Sequence, residues 1–182
     1  MNLLAISGSA RQGSSNTALL NAMKEAIPTQ INICVMDRLD CLPVFSPDRE
    51  GGKTPVQVND LLSQVDSAEG IVISSPEYIR AIPGGLKNAI DWMVSRPEIV
   101  GKPIALAHAS HRGHDMLCSL RLVLSTVSEA FLEAPFLCIP LLGMPPEEVD
   151  RLLQQPSHKL EIQEFLLNFT SCITRIRAEK AR

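Results

Sequence analysis

Five short runs that are apolar almost without interruption, spaced by stretches of helical periodicity, constrain this chain more than any other feature. They are NLLAIS (2–7), INICVM (31–36), GIVISS (70–75), PIALAHA (103–109) and APFLCIP (134–140). A strand without polar alternation has both faces covered, the condition of a strand in a parallel sheet packed between helices. Between the runs, Leu86, Ala89, Ile90, Met93 and Val94 recur with the period of one helix face, as do Ile162, Phe165, Leu166, Phe169, Ile173 and Ile176 near the C-terminus. The alternation predicts an α/β fold: a doubly wound, five-stranded parallel sheet in order 2-1-3-4-5 with five helices on its two faces. The carboxyl ends of strands 1, 3 and 4 then open onto one crevice.

A chain of 182 residues, 45% of them hydrophobic, buries roughly 70% of its unfolded surface, enough for one compact domain over 1–182. Its 17 basic and 20 acidic residues show no cationic cluster, so no nucleic-acid partner is expected. The five cysteines form no C-x-x-C pair and lie in apolar surroundings, which reads as reduced core thiols of a cytoplasmic protein. MNLLAISGS lacks the pattern of a secretion signal and no run reaches membrane-span length, so no membrane partner is expected.

Between the first run and the first helix stands GSARQGSSN (8–16), more polar than a turn requires. One serine suffices to cap a helix, whereas Ser9, Ser14, Ser15 and Asn16 supply several neutral hydrogen bonds and Arg11 a charge-assisted one. At a helix start, where unpaired N–H groups and the dipole favour negative charge, this set points to a phosphate. A rival reading takes GSARQG as a Rossmann fingerprint with Ala10 in place of its second glycine and Asp37 as the ribose-binding acid. Arg11 and the Ser/Asn set suit a terminal, dianionic monophosphate better.

After the third run, SSPEYIRAIPGGLKNAIDWM (74–93) sets Glu77 and Tyr78 on an arch stiffened by Pro76 and Pro83. Its backbone amides can meet the edge of a planar heterocycle that Tyr78 covers. HASHRGHDM (108–116) follows the fourth run. His108, His111 and His114 match no zinc signature, so no metal is expected; His111 and Arg112 are candidates to border a ligand. The segment 37–55, with Pro43, Pro47, Pro55 and a glycine pair, has no periodicity. Its apolar Leu42, Val44 and Phe45 call for cover, for which a second subunit is one source.

GSARQGSSN resembles the phosphate loop G-S-x-R-x-x-S-x-N of the NAD(P)H-dependent FMN reductase family, flavodoxin-like quinone, azo-dye and chromate reductases. PEYIRAIPGGLKNAIDW (76–92) resembles that family's P-E-Y-N-x-S-I-P-G-x-L-K-N-A-I-D-W segment. The likeness runs from the first strand to about residue 95 and departs at Ile79 (Asn in the family), at Ala81 (Ser) and in the third loop. It implies a flavodoxin-like fold and an FMN-dependent oxidoreductase that takes hydride from NAD(P)H and reduces a small acceptor, quinone-like or a free flavin. Ser9, Arg11, Ser14, Ser15 and Asn16 would surround the FMN phosphate, and Pro76, Glu77, Tyr78 and the backbone at Ile79 would line the ring. Backbone N–H groups near Glu77–Ile79 and in the loop of Ser110, His111 and Gly113 are candidates to stabilise the reduced ring, and no side chain need act as acid or base. A homodimer or homotetramer is expected on the same ground. The alternatives are a non-enzymatic flavin-binding electron carrier and the NAD-binding Rossmann protein.

Overall fold

The computed structural model describes residues 1–27 and 30–180. Its five strands are β1 (Asn2–Ser7), β2 (Asn32–Met36), β3 (Gly70–Ser74), β4 (Ile104–His108) and β5 (Phe131–Cys138), all parallel in the order β2-β1-β3-β4-β5. On one face lie α1 (Ser15–Ala26), α6 (Pro146–Leu153) and α7 (Pro156–Lys180); on the other lie α2 (Val56–Ser67), α3 (Gly84–Met93), the single turn α4 (Pro97–Val100) and α5 (His114–Val127). The pleat divides the strands between two cores. Leu3, Ala5, Val72 and Ala105 face α1 and α7, while Leu4, Ile6, Ile71 and Ile73 face α2 and α3. The sheet order is the one the apolar runs predict, and its switch point lies between β1 and β3.

Several expectations need correction. β1, β3 and β4 are covered on both faces, but β2 and β5 lie at the sheet edges with much of their length open. β5 begins three residues before the apolar run, at Phe131, and its ladder with β4 shifts register between Ile104 and Leu106, beside Pro135. An edge strand tolerates both the outward Glu133 and a proline that cannot donate to the ladder. The described residues hold seven α-helices rather than five, since α4 and the polar α6 carry too few apolar positions to announce themselves. On α3 the stripe ends at Met93, with Val94 exposed at the helix end; on α7 it ends at Ile173, with Ile176 half-buried.

The thiols do not lie in the core. Cys34 and Cys138 occupy open faces of the edge strands, Cys41 the loop after β2 and Cys118 the outer face of α5, all exposed; Cys172 is half-buried on α7. Segment 37–55 is covered from within. It folds into three short 3-10 turns, and Phe45 packs edge-on against Trp92 of α3 at 5.0 Å. The Pro43 carbonyl accepts hydrogen bonds from Trp92 Nε1 (2.8 Å) and Asn88 Nδ2 (3.0 Å), and the Phe45 N–H donates to Asn88 Oδ1 (2.8 Å). Val44 is left 80% exposed. No described helix is long and apolar enough to cross a membrane.

Candidate functional site

At the carboxyl edge, the chain leaves β1 through Gly8, whose N–H donates to the Ser74 carbonyl at the end of β3 (2.8 Å). A side chain at Gly8 would place Cβ 2.5 Å from Ser75 Oγ and 2.8 Å from Ser75 Cβ, so glycine lets the first and second loops touch. The loop reverses at Gly13, where φ is +67°, and enters α1 at its N-cap Ser14.

The hydroxyls here are oriented by the backbone. Ser14 Oγ accepts from the Asn16 N–H (3.2 Å) and so retains its own hydrogen for an incoming acceptor, while Ser9 Oγ accepts from the Arg11 N–H (3.2 Å) and pairs at 3.5 Å with the Tyr78 hydroxyl. Asn16 is buried, with Oδ1 accepting from Ser74 Oγ (2.9 Å) across the floor of the loop, and Ser7 Oγ pairs with Thr17 Oγ1 (2.8 Å) behind it. No acidic side chain occupies the first turn of α1. Among the described residues the Arg11 guanidinium has no protein partner. Hydroxyl hydrogens, a helix start and an unpaired cation converge on one spot, the donor set an anion needs.

The second loop is a hairpin. Tyr78 and Ala81 exchange backbone hydrogen bonds at 3.1 Å each way, and the two residues at its tip, Ile79 and Arg80, have φ of +50° and +59°. A two-residue turn of the I′ kind imposes this left-handed backbone, which suits glycine and asparagine and strains a β-branched side chain. Ile79 also points outward, 99% exposed. Ile79→Asn is expected to raise stability by about 1 kcal/mol, read as a higher urea midpoint at unchanged slope. An unchanged midpoint would mean that the turn carries no such strain.

The third loop, after β4, is tied to the second. Glu77 Oε2 accepts from the Met116 N–H (3.0 Å), capping a helix whose own N-cap, Gly113, has no side chain to do so. Arg80 pairs with Asp115 in the same turn, and its hydrogen bond holds that carboxyl below its ordinary range. His108 is buried beneath the loop with Nε2 against the Arg112 carbonyl, while Nδ1 has no partner among the described residues. Gly113, at φ +102°, rests so close that a Cβ there would lie 3.1 Å from the imidazole. His111 and His114 are exposed instead, and the described residues contain no group of three or more possible metal ligands.

The three loops enclose a cleft of about 290 Å³. Eleven of the residues singled out from sequence line it: Ser9, Arg11, Ser14, Ser15, Asn16, Pro76, Glu77, Tyr78, Ser110, Arg112 and Gly113. Ile79 and His111 do not. Sequence reasoning missed Ser75, Ala109 and, from beyond β5, Leu142. Ser75 directly precedes a proline singled out for its stiffness and was legible on that ground; Leu142 is brought in by tertiary packing. Of the amides expected to face a ring, those of Tyr78 and Arg112 are occupied within their own loops, the latter by Ser110 Oγ (2.9 Å). Among the described residues the amides of Glu77 and Gly113 have no partner.

Residues 1–139 match the family model described as NADPH-dependent FMN reductase. The chain is 32% identical to the quinone reductase of Escherichia coli (strain K12) over 114 residues, 60% of each protein. It is 31% identical to the probable NADPH:quinone oxidoreductase 2 of Oryza sativa subsp. japonica over the whole chain and 93% of that protein. With the NAD(P)H-dependent FMN reductase of Pseudomonas aeruginosa the identity is 35% over 60% of each. The match thus spans about three fifths of the bacterial relatives and nearly all of the rice protein. The flavoenzyme FerB of Paracoccus denitrificans, an NAD(P)H:(acceptor) oxidoreductase, superposes with a TM-score of 0.78 over 96% of this chain and 97% of its own, at 21% identity, which speaks for the fold.

Proposed function

We propose, since the chain belongs to the NADPH-dependent FMN reductase family, that it binds FMN at the cleft of the three loops and carries electrons from NAD(P)H to a small acceptor, a quinone or a free flavin. The observation that supports this best is the orientation of Ser14, whose hydroxyl accepts from a backbone N–H and keeps its hydrogen for a ligand, beside the Arg11 guanidinium that has no partner among the described residues. Ser9, Arg11, Ser14, Ser15 and Asn16 hold the phosphate. Pro76, Glu77 and Tyr78 border the ring on one side, Ser110 and Gly113 on the other, while Ile79 and His111, expected there from the sequence, stand outside the cleft. FMN, when bound, supplies the hydride and electron chemistry, and the protein supplies orientation and electrostatics.

The residues of the rim then have simple tasks. The unpartnered N–H groups of Glu77 and Gly113 favour negative charge on a ligand at the rim. Glu77 itself is held by Met116 and is not free to shuttle protons. Tyr78, about half exposed, screens the cleft from water at its mouth. The exposed apolar side chains of Val44 and Ile79 support a homodimer or homotetramer, which light scattering on the purified protein measures directly.

Adding FMN to the protein and following the flavin absorption anaerobically as NADPH is introduced tests the reading. Bound flavin that bleaches and recovers on adding a quinone is the expected outcome. Bound flavin that NADPH and NADH leave oxidised would make the protein an electron carrier instead. Arg11→Ala is expected to weaken FMN about 10- to 100-fold, the worth of one charge-assisted hydrogen bond. An unchanged dissociation constant would remove Arg11 from the site.

A further inference from the structure

A second and larger cleft, about 680 Å³, opens on the other flank of the first loop. Its floor is apolar, Ala22 of α1 with Val149 and Leu153 of α6, which are 8%, 2% and 2% exposed, and the rest of its lining is mostly polar, with the carboxylates of Glu25, Asp37, Asp40 and Asp150. Asn21, Asp37 and Asp150 stand at its rim. Arg11, Ser14 and Ser15 belong to both clefts, so the two meet along the loop assigned above to the flavin phosphate. The volume falls in the range of small-molecule sites, and an apolar floor with hydrogen-bonding groups at the margin suits an aromatic base bearing a sugar.

The charges at the rim narrow the ligand further. Arg38 lies on this flank, but its Nε (3.0 Å) and a terminal nitrogen (3.4 Å) are both engaged by Asp40. Asp37, immediately after β2, has no side-chain partner among the described residues. A carboxylate at the end of the second strand accepts hydrogen bonds from ribose hydroxyls and repels a phosphate in their place, whereas an available arginine does the reverse. A nicotinamide dinucleotide exceeds FMN by a second nucleoside. With its nicotinamide at the ring it would extend toward the first loop, along which the second cleft joins the first.

We infer that the cleft between α1 and α6 binds the adenosine end of the reductant, with Asp37 on the ribose hydroxyls, and that it favours NADH over the 2′-phosphorylated NADPH. This rests on the proposed function only for the direction in which the dinucleotide lies. The test therefore uses adenine nucleotides alone, on the full chain saturated with FMN so that its phosphate loop is occupied. Adenosine 5′-monophosphate and adenosine 2′,5′-bisphosphate are each titrated by calorimetry and by amide chemical shifts. The expected result is shifts at Asn21, Glu25, Val149 and Asp150, with the bisphosphate at least tenfold weaker. Asp37→Asn should reduce that ratio below about threefold.

Equal or tighter binding of the bisphosphate to the unaltered protein overturns the inference, as do shifts confined to residues 9–16 or a ratio that Asp37→Asn leaves intact. If the protein takes no FMN, the same titrations are run on the chain alone. Shifts at α1 and α6 there would uphold the adenosine site while the flavin reading fails. Bound FMN with no adenine-nucleotide response would do the opposite.

Discussion

Trp92→Ala is expected to lower the free energy of unfolding by about 3–5 kcal/mol, the largest single effect at any residue described above. The indole is 0% exposed, the largest side chain buried to that degree, and it fills the space between α3 and the segment 37–55. Its removal leaves a cavity, strips Phe45 of its edge-on partner and leaves the Pro43 carbonyl with Asn88 Nδ2 as its one remaining donor among the described residues. Trp92→Phe separates these contributions: it keeps most of the volume, loses the hydrogen bond, and should cost about 1–2 kcal/mol. Urea unfolding gives both numbers, and limited proteolysis should cut the alanine variant first within 37–55, where the anchor has gone. Equal losses for the two variants would mean that the indole N–H, and not the packing, fastens this segment.

Gly8→Ala adds one methyl group, and the expected loss is about 1–3 kcal/mol of stability together with at least a tenfold weaker FMN complex. The new Cβ would stand 2.8 Å from Ser75 Cβ, which is fixed to the backbone, and 3.0 Å from the Leu86 Cδ2 methyl, whose side chain is fully buried. Relief requires the first loop to rise from the second, moving Ser9 and Ser75, both of which line the cleft of the three loops. Gly84→Ala is the control, because a Cβ there meets nothing within 4 Å, and it should leave stability within about 0.5 kcal/mol. Flavin titration of both variants decides the matter; an FMN affinity in Gly8→Ala equal to that of the control would dissociate the loop contact from the site.

These two positions also show what a sequence does and does not disclose. The interior strands were legible because burial on both faces leaves no polar alternate in LLAIS or IVISS. The same criterion over-reads INICVM and APFLCIP, whose apolar letters sit on edge strands that only the finished sheet reveals, and it misplaces Cys34 and Cys138 in the core. The first loop was legible because its devices are local: Ser14 caps the helix that it precedes, and Gly13 turns the chain beside it. The cover over Phe45 was not, since Trp92 lies on another element and nothing in 37–55 names it. The left-handed tip at Ile79 and Arg80 was hidden for another reason, because neither residue is of the kind that adopts such a backbone readily. The cleft between α1 and α6 has walls drawn from both ends of the chain, and only Asp37 hinted at it.

The two struts from the second loop to α5, Glu77 to the Met116 amide and Arg80 to Asp115, make the rim a preassembled berth rather than a gate. Little configurational freedom is left there to surrender when a guest docks, so the gross attraction of the contacts is retained in the affinity.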